Sequence, residues 1–389
     1  MARVLIGWEL GANRGHAVRL AELGTSLRGA GHEVAFAVQR IDALSAGEAG
    51  GSAVWQAPVS PRMLVSGARR AEVPATGMAD IIARLGMDER GIVAAMVGGW
   101  RNLFGAIRPD LVIAEYAPFL LLAARGTLPS IAVGTGFGRP PATMAQLPQL
   151  VDGTGAVDQN ALLEAINEGL GMVGTVPLAA LPLVFEADRA LAVTYAELDP
   201  YAGERCEVLA RPVPTDFAAR AGAGEEIFVY CPEGMSAEAP LWRGLAASGL
   251  PVRIHPPRAS DALRRALSDF GFAVEAEPIA FTAIAERSRL VVSHGGHGLV
   301  CAAMTAGLPQ VVCHHDLEKY LIGQAVTRAG LGGHATSGAI DPDKFGADLV
   351  ALYHDEALGQ RARATGDALR RRDQPDPAAT VVAAVDSLA

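Results

Sequence analysis

Two stretches of the sequence place histidines beside glycines, a combination suited to binding an anion or moving a proton. The first stretch, residues 9–16, ends in Gly15-His16. The second, residues 293–298, reads Ser-His-Gly-Gly-His-Gly. Glycines let the backbone turn sharply and approach a ligand closely. An imidazole can donate a hydrogen bond to a phosphate or act as a base near neutral pH.

The second stretch follows the apolar run Leu290-Val291-Val292 and precedes the apolar residues 299–306. This pattern predicts a buried strand, a tight turn and a helix. The free N–H groups and the positive end of the helix dipole would then point into the turn. We therefore expect a phosphate site with a charge-assisted hydrogen bond from His294, although a turn without a ligand is the alternative. Its residues are His294, Gly295, Gly296, His297 and Gly298.

The first stretch lies between a predicted strand, Val4–Trp8, and a predicted helix that covers Ala17–Gly29. A second strand is predicted at Glu33–Val38, and this order implies parallel pairing with a right-handed crossover. The loop before the helix then falls at the C-terminal edge of the sheet, where open α/β folds bind ligands. A later predicted strand, Leu111–Ala114, delivers Glu115 to the same edge.

The strand and helix pattern restarts at Ile227 after a stretch rich in Pro and Gly, so we predict two α/β domains. A chain of 389 residues is also long for a single core. The expected parts are an N-terminal domain, a linker, a second domain and a C-terminal helix that crosses back onto the first domain. Their bounds are 1–210, 211–225, 226–375 and 376–389.

The composition argues against several classes of protein: general nucleic-acid binders, secreted proteins and membrane-spanning proteins. The net charge of -9 argues against a general nucleic-acid binder, and the one basic run, residues 370–372, reads as the solvated end of a helix. Four cysteines without CxxC spacing indicate reduced, mostly buried thiols in a cytoplasmic protein. The N-terminus does not resemble a signal peptide, and no run of eighteen apolar residues predicts a membrane span.

Both histidine stretches carry a family resemblance. Gly15-His16, followed by a helix that ends in Gly31-His32-Glu33-Val34, resembles the start of nucleotide-sugar-dependent glycosyltransferases of the two-Rossmann GT-B fold. The run from His294 to Gly298, continuing to Gly307-Leu308-Pro309-Gln310, resembles their donor-phosphate motif. The family includes bacterial antibiotic (macrolide-type) glycosyltransferases and plant UDP-glycosyltransferases. The resemblance implies an α/β fold with two Rossmann-like domains that face each other across a cleft.

The resemblance also implies roles for particular residues. His16 would be the general base that activates an acceptor hydroxyl for attack with inversion, and Glu115 would orient it. Glu9 is an alternative partner for His16, and Glu115 could instead be an ordinary solvated carboxylate. Glu318 and Lys319 occupy the positions that contact the donor sugar. The family typically needs no metal ion or other cofactor, and its partners are a nucleotide-diphosphate sugar and a small-molecule acceptor.

Three departures from the family pattern keep other functions open. Leu299 replaces a Ser or Thr that binds phosphate, Ala302 replaces a Glu that holds the ribose, and Lys319 replaces a Gln. The alternatives are a non-catalytic paralogue that binds nucleotide-sugar or partners another transferase, and a sugar-nucleotide 2-epimerase. The sequence leaves open the acceptor, the sugar, the nucleotide base and the oligomeric state.

Overall fold

The computed structural model of the protein describes residues 1–11, 14–64, 74–153, 156–214, 217, 224–230 and 239–389. The chain divides into two units. The first comprises Met1–Thr194, Asp199–Arg211 and Gln374–Ala389, and the second comprises Tyr195–Leu198 and Pro212–Asp373. Most of the predicted linker, residues 215–216 and 218–223, lies outside the described residues, as does Cys231.

Among the described residues, twelve strands form two parallel sheets, one in each unit. The strands of the first sheet are β1 (Arg3–Trp8), β2 (Glu33–Val38), β3 (Ala53–Gln56), β4 (Leu111–Glu115), β5 (Ser130–Gly134) and β6 (Arg189–Ala192). Those of the second are β7 (Glu226–Tyr230), β8 (Val252–His255), β9 (Ala273–Val274), β10 (Ser288–Ser293), β11 (Gln310–His314) and β12 (Gly332–Thr336).

Fifteen α-helices connect or flank these strands in the described part of the chain. They are α1 (Arg14–Gly29), α2 (Ala46–Ala49), α3 (Pro61–Leu64), α4 (Met78–Ile82), α5 (Arg90–Ile107), α6 (Pro118–Ala124), α7 (Gln159–Met172), α8 (Pro240–Ala247), α9 (Asp261–Asp269), α10 (Phe281–Arg287), α11 (His297–Ala306), α12 (Leu317–Arg328), α13 (Pro342–His354), α14 (Glu356–Arg371) and α15 (Pro377–Leu388).

The two sheets share one strand order. It is β3-β2-β1-β4-β5-β6 in the first unit and β12-β11-β10-β7-β8-β9 in the second, so each sheet reverses direction beside its own first strand. Doubly wound sheets of this order bind ligands at the reversal, outside the carboxyl ends of the strands. The predicted α/β architecture with two Rossmann-like domains is confirmed.

Central strands of each sheet carry the apolar runs because helices cover both of their faces. In the first unit, β1 pairs with β2 on one side and β4 on the other, with Trp8 opposite Glu115. Helix α1 packs its apolar side on this sheet, and Leu20 and Leu27 are buried in one cluster with Phe36. This packing fixes the start of α1, and therefore His16, at the reversal between β1 and β4.

The C-terminal helix α15 belongs to the first unit. Val381 and Val385 are buried in the cluster that contains β1 and α1, and Asp386 lies 3.2 Å from Nε2 of His32. Arg211 forms an ion pair with Asp376, the N-cap residue of α15, at 2.5 Å. The last helix of the chain therefore completes the core of the first unit.

The basic run at residues 370–372 is not the solvated helix end that its charge predicts. Arg370 donates to the carbonyl oxygen of Thr305, and Arg372 forms two hydrogen bonds with Glu197 at 2.6 and 2.9 Å. Only the middle residue of the three is exposed. The run ties the segment Tyr195–Leu198 to the second unit. Cys301 and Cys313 are buried, whereas Cys206 is exposed.

In the described part of the chain, no helix is both long enough and apolar enough to cross a membrane.

Candidate active site

His16 lies in the first turn of α1, directly beyond the end of β1. Its Nδ1 atom is 2.8 Å from Oε2 and 3.0 Å from Oε1 of Glu115, the last residue of β4. The side chain of Glu115 is 1% exposed and that of His16 is 19% exposed. The structure thus brings together two residues that lie 99 positions apart in the sequence, and Glu115 is not a solvated carboxylate.

A carboxylate on Nδ1 selects one tautomer of the neutral imidazole. Because a carboxylate accepts hydrogen bonds, His16 carries its proton on Nδ1 and keeps the Nε2 lone pair for a proton from another molecule. The same arrangement orients the histidine of a serine hydrolase triad. His16 and Glu115 therefore have the geometry of a general base and its positioning carboxylate.

Arg19 is the third side chain of this cluster, and it was not among the predicted site residues. Arg19 donates from Nη1 to Oε1 of Glu115 at 3.0 Å, and its side chain is 20% exposed. The residue lies three positions after His16, which puts both on one face of α1. That spacing is the signal in the sequence that could have identified it.

Two aromatic rings pack on the imidazole of His16, and a glycine leaves space for it. Its centroid is 5.4 Å from the Trp8 ring and 6.3 Å from the Tyr116 ring, both in stacked orientations. Tyr116 has a φ of 47°, a left-handed conformation that is strained for an aromatic residue and that occurs at functional sites. A Cβ atom at Gly11 would lie 2.2 Å from Nε2 of His16, so the ring requires glycine there.

Glu9, the alternative partner for His16, serves a different element. Its carboxylate accepts from Trp100 Nε1 at 2.5 Å and from the N–H groups of Phe119 and Leu120 at 3.0 and 2.7 Å. Burial raises the pKa of Glu9 to about 8, against the opposing effect of these three donors. The residue ties the end of β1 to the first turn of α6 and to α5.

The glycine-rich stretch of the second unit forms the predicted strand, turn and helix. Strand β10 ends at Ser293, Gly296 is the N-cap of α11, and Gly307 ends the helix with a φ of 75°. Gly296 has no side chain with which to cap α11, and the first N–H groups of an α-helix have no intrahelical acceptor. Gly295 has a φ of 87°, and a Cβ atom there would lie 2.7 Å from Val312 Cγ1.

His294 lies over this turn as a neutral side chain. It is 7% exposed, and a Cβ atom at Gly296 would be 3.1 Å from its Nε2. Its Nδ1 has no hydrogen-bond partner among the described residues. Burial, followed by the positive charge of Lys319, lowers the pKa of His294 to about 4. Near pH 7 His294 is therefore a neutral imidazole, and a hydrogen bond from it to a phosphate would be charge-assisted through the phosphate alone.

The other residues predicted for the donor site take different positions. His297 is buried, and its imidazole lies 3.6–3.8 Å from Sγ of Cys301, one turn along α11. Gly298 is exposed in the first turn of the helix. Leu299 packs against an apolar cluster, and Ala302 is 9% exposed. The structure therefore turns the side chain of His297 along the helix.

Glu318 and Lys319 form an ion pair in the first turn of α12. Nζ of Lys319 is 2.6 Å from Oε2 of Glu318 and 3.7 Å from Oδ2 of Asp316. Burial alone would lower the pKa of Lys319, but these two carboxylates raise it above its usual value. Lys319 also lies against the turn, since a Cβ atom at Gly295 would be 3.2 Å from its Cβ. In the described part of the chain, no three metal-ligating side chains form a group that could hold a metal ion.

Comparisons with known proteins agree with this fold. Residues 267–386 match the family model "Erythromycin biosynthesis protein CIII-like, C-terminal domain". The structure is similar to that of the spinosyn rhamnosyltransferase SpnG, with a TM-score of 0.68 and 20% identity over 99% of this chain and 100% of that chain. No significant match was found among curated protein sequences.

Two further glycosyltransferases have the same fold. The calicheamicin glycosyltransferase CalG4 gives a TM-score of 0.69 and 19% identity over 100% of this chain and 98% of that chain. SsfS6 of Streptomyces sp. SF2575, in complex with thymidine diphosphate, gives a TM-score of 0.65 and 20% identity over 100% of both chains. The predicted resemblance to GT-B antibiotic glycosyltransferases is thereby confirmed, and glycosyltransferase is the enzyme class of the matched proteins.

Proposed function

We propose that this protein transfers a sugar from a nucleoside-diphosphate donor to a hydroxyl, or a similar nucleophile, of a small-molecule acceptor. The reaction inverts the anomeric carbon and needs no metal ion. The observation that carries the proposal is the contact between His16 Nδ1 and the buried carboxylate of Glu115. It leaves Nε2 of His16 as a base at the C-terminal edge of the first sheet.

The proposed reaction is a single displacement. Nε2 of His16 takes the proton of the acceptor hydroxyl while the oxygen attacks the anomeric carbon from the face opposite the diphosphate. The bond between that carbon and the diphosphate oxygen breaks, and the diphosphate leaves with the electron pair. Glu115 stabilises the imidazolium that forms, as a carboxylate partner does for other catalytic histidines.

The leaving diphosphate is assigned to the turn before α11. Helix N-termini bind phosphate through free N–H groups and the helix dipole. The side chain of His294, which is buried and lacks a described partner at Nδ1, adds a neutral donor or acceptor. SsfS6 and SpnG are described in complex with thymidine diphosphate, and SpnG also with the spinosyn aglycone. We therefore propose a thymidine or uridine diphosphate sugar as donor and a small aglycone as acceptor.

A non-catalytic paralogue that binds nucleotide-sugar is the second candidate. It is favoured by the pairing of Lys319 with Glu318, which occupies side chains at the positions expected to contact the sugar. Leu299 and Ala302 also favour the paralogue, because neither side chain offers a polar group to a nucleotide-sugar donor. The buried His16–Glu115 contact favours the enzyme, since a protein that only binds the donor does not require a poised base.

Release of nucleoside diphosphate, measured with a panel of dTDP- and UDP-sugars and no added acceptor, distinguishes these candidates. We expect slow hydrolysis of at least one donor, in which water replaces the acceptor. Saturable binding of a donor without turnover would instead support the paralogue. Glu115→Gln is the companion variant, since it should slow hydrolysis and leave donor affinity unchanged.

A further inference from the structure

The carboxylate of Glu115 accepts hydrogen bonds from two side chains at once. Oε2 is 2.8 Å from Nδ1 of His16, and Oε1 accepts from Nη1 of Arg19 at 3.0 Å. Glu115 itself is buried, so both contacts are poorly screened by solvent. A histidine oriented by a carboxylate needs only the first contact. The arginine is an addition that requires its own explanation.

Two effects of Arg19 follow from elementary electrostatics. Its guanidinium balances the negative charge of the buried carboxylate, because opposite charges in contact attract each other. It also cancels part of the negative charge that would stabilise an imidazolium at His16. Other described groups near His16 are the uncharged rings of Trp8 and Tyr116 and the positive end of α1. Glu22, on the same helix, interacts with Arg19, and Glu9 is held at α6.

We propose that Arg19 is a positioning residue that balances the charge of Glu115 and thereby keeps His16 neutral, and able to accept a proton, to lower pH. Arg19 holds Oε1 of the carboxylate and thereby fixes the group in the orientation that keeps both oxygens within 3.0 Å of Nδ1 of His16. The catalytic role of Arg19 rests on the proposed function. The electrostatic coupling between Arg19 and His16 can be measured without any substrate.

The test is an NMR titration of the His16 imidazole in three proteins. Arg19→Met keeps most of the aliphatic stem and removes the charge, and Arg19→Lys keeps the charge without the planar fork. We expect the titration midpoint of His16 to rise by about one pH unit in Arg19→Met, as for removal of a nearby like charge. In Arg19→Lys it should rise by less than half of that. The acidic limb of the pH profile of donor hydrolysis should move in the same direction.

Arg28→Met is the matched control, because Arg28 lies on the same helix and bonds the hydroxyl of Ser52. It should leave the midpoint of His16 unchanged. A midpoint in Arg19→Met that is unmoved, or that falls, would overturn the inference. If the midpoint rises but His16→Ala retains full turnover, the charge coupling stands and the proposed function fails. If His16→Ala loses turnover while the midpoint in Arg19→Met does not move, only the inference fails.

Discussion

At the residue scale, several segments of the first unit fix the position of the His16 imidazole. Glu115 from β4 holds Nδ1, Trp8 from β1 stacks on the ring, and Gly11 leaves room for Nε2. Arg19 acts one step further away, through the carboxylate. Such support is what a catalytic side chain needs to hold a productive geometry without reorganising during the reaction.

If His16 and Glu115 act as one unit, their losses should not multiply. Glu115→Gln keeps the shape of the side chain but removes the charge that stabilises the imidazolium. We expect it to lower turnover less than His16→Ala does, and the double variant to be no worse than His16→Ala alone. Steady-state hydrolysis of the donor by the three variants measures this. Losses that multiply in the double variant would show that the two residues work independently.

Gly11 offers a sharper test of the space around His16. Gly11→Ala places a methyl group 2.2 Å from Nε2, so the ring must move and turnover should fall by about a hundredfold, as for loss of a general base. Gly31→Ala is the matched control, since Gly31 has a φ of 90°, Gly11 has a φ of 92°, and a Cβ atom at Gly31 meets no described atom within 4 Å.

Both glycine variants should lose similar stability, on the order of 1–2 kcal/mol, because both place a Cβ atom at a positive φ. Thermal unfolding of the two proteins checks this match. Equal turnover in the two variants would contradict the assigned position of His16.

His16 and Glu115 could be predicted because each follows an apolar strand, and strands in a parallel α/β sheet bring their carboxyl ends to one edge. The partners of the histidine could not be ranked in the same way. Glu9 and Glu115 both lie at that edge, and only the packing of α6 shows that Glu9 caps the N–H groups of Phe119 and Leu120. The role of Gly11 depends on a side-chain position that residue spacing does not specify, whereas the spacing of Arg19 from His16 places both residues on one face of α1.

At the element scale, the strand–turn–helix around His294 was predicted closely because its sequence contains each signal in order. Three strands have no pattern in the sequence that predicts them, and all three are at sheet edges: β3, β6 and β12. Edge strands are covered by fewer neighbours and do not need the apolar run of a buried strand. Strand β12 even begins with Gly332-Gly333, which reads as a turn.

The protonation state of His294 could not be predicted from the sequence, because burial and the charge of Lys319 are properties of the folded unit. Its pKa is about 4 in the folded protein and 6.5 in an unperturbed histidine. Between these values the unfolded chain binds more protons, so the free energy of unfolding rises with pH through this window. The stability is complete above pH 6.5, is lost as pH falls toward 4, and amounts to a few kcal/mol, on the order of 3 at most.

Urea unfolding between pH 5 and 7 measures this contribution. We expect His294→Asn to be less sensitive to pH than the unaltered protein over this range. His354→Asn, at an exposed histidine at the end of α13, should keep the slope of the unaltered protein. The same slope in all three proteins would show that His294 is not held neutral by folding.

At the scale of the whole molecule, each unit carries one half of the proposed chemistry at the reversal of its own sheet. The first unit holds the base, and the second holds the phosphate turn. This division could be predicted, because the strand and helix pattern appears twice and each half has its own histidine stretch. Two short segments belong to a different unit from the residues next to them in the sequence, and only one of these two assignments could be predicted. The last helix was expected to join the first unit, but nothing in the sequence indicated that Tyr195–Leu198 belongs to the second.

The most direct test of the central claim compares His16→Ala and His294→Ala in two measurements, turnover of the donor and affinity for the nucleoside diphosphate. His16→Ala should bind dTDP or UDP within about threefold of the unaltered protein and lose about a hundredfold or more in turnover. His294→Ala should bind the diphosphate about ten- to a hundredfold more weakly, the range for a hydrogen bond to a charged group, and bind the bare nucleoside equally well. Near-native turnover in His16→Ala would contradict the assignment of the general base, and with it the proposed function.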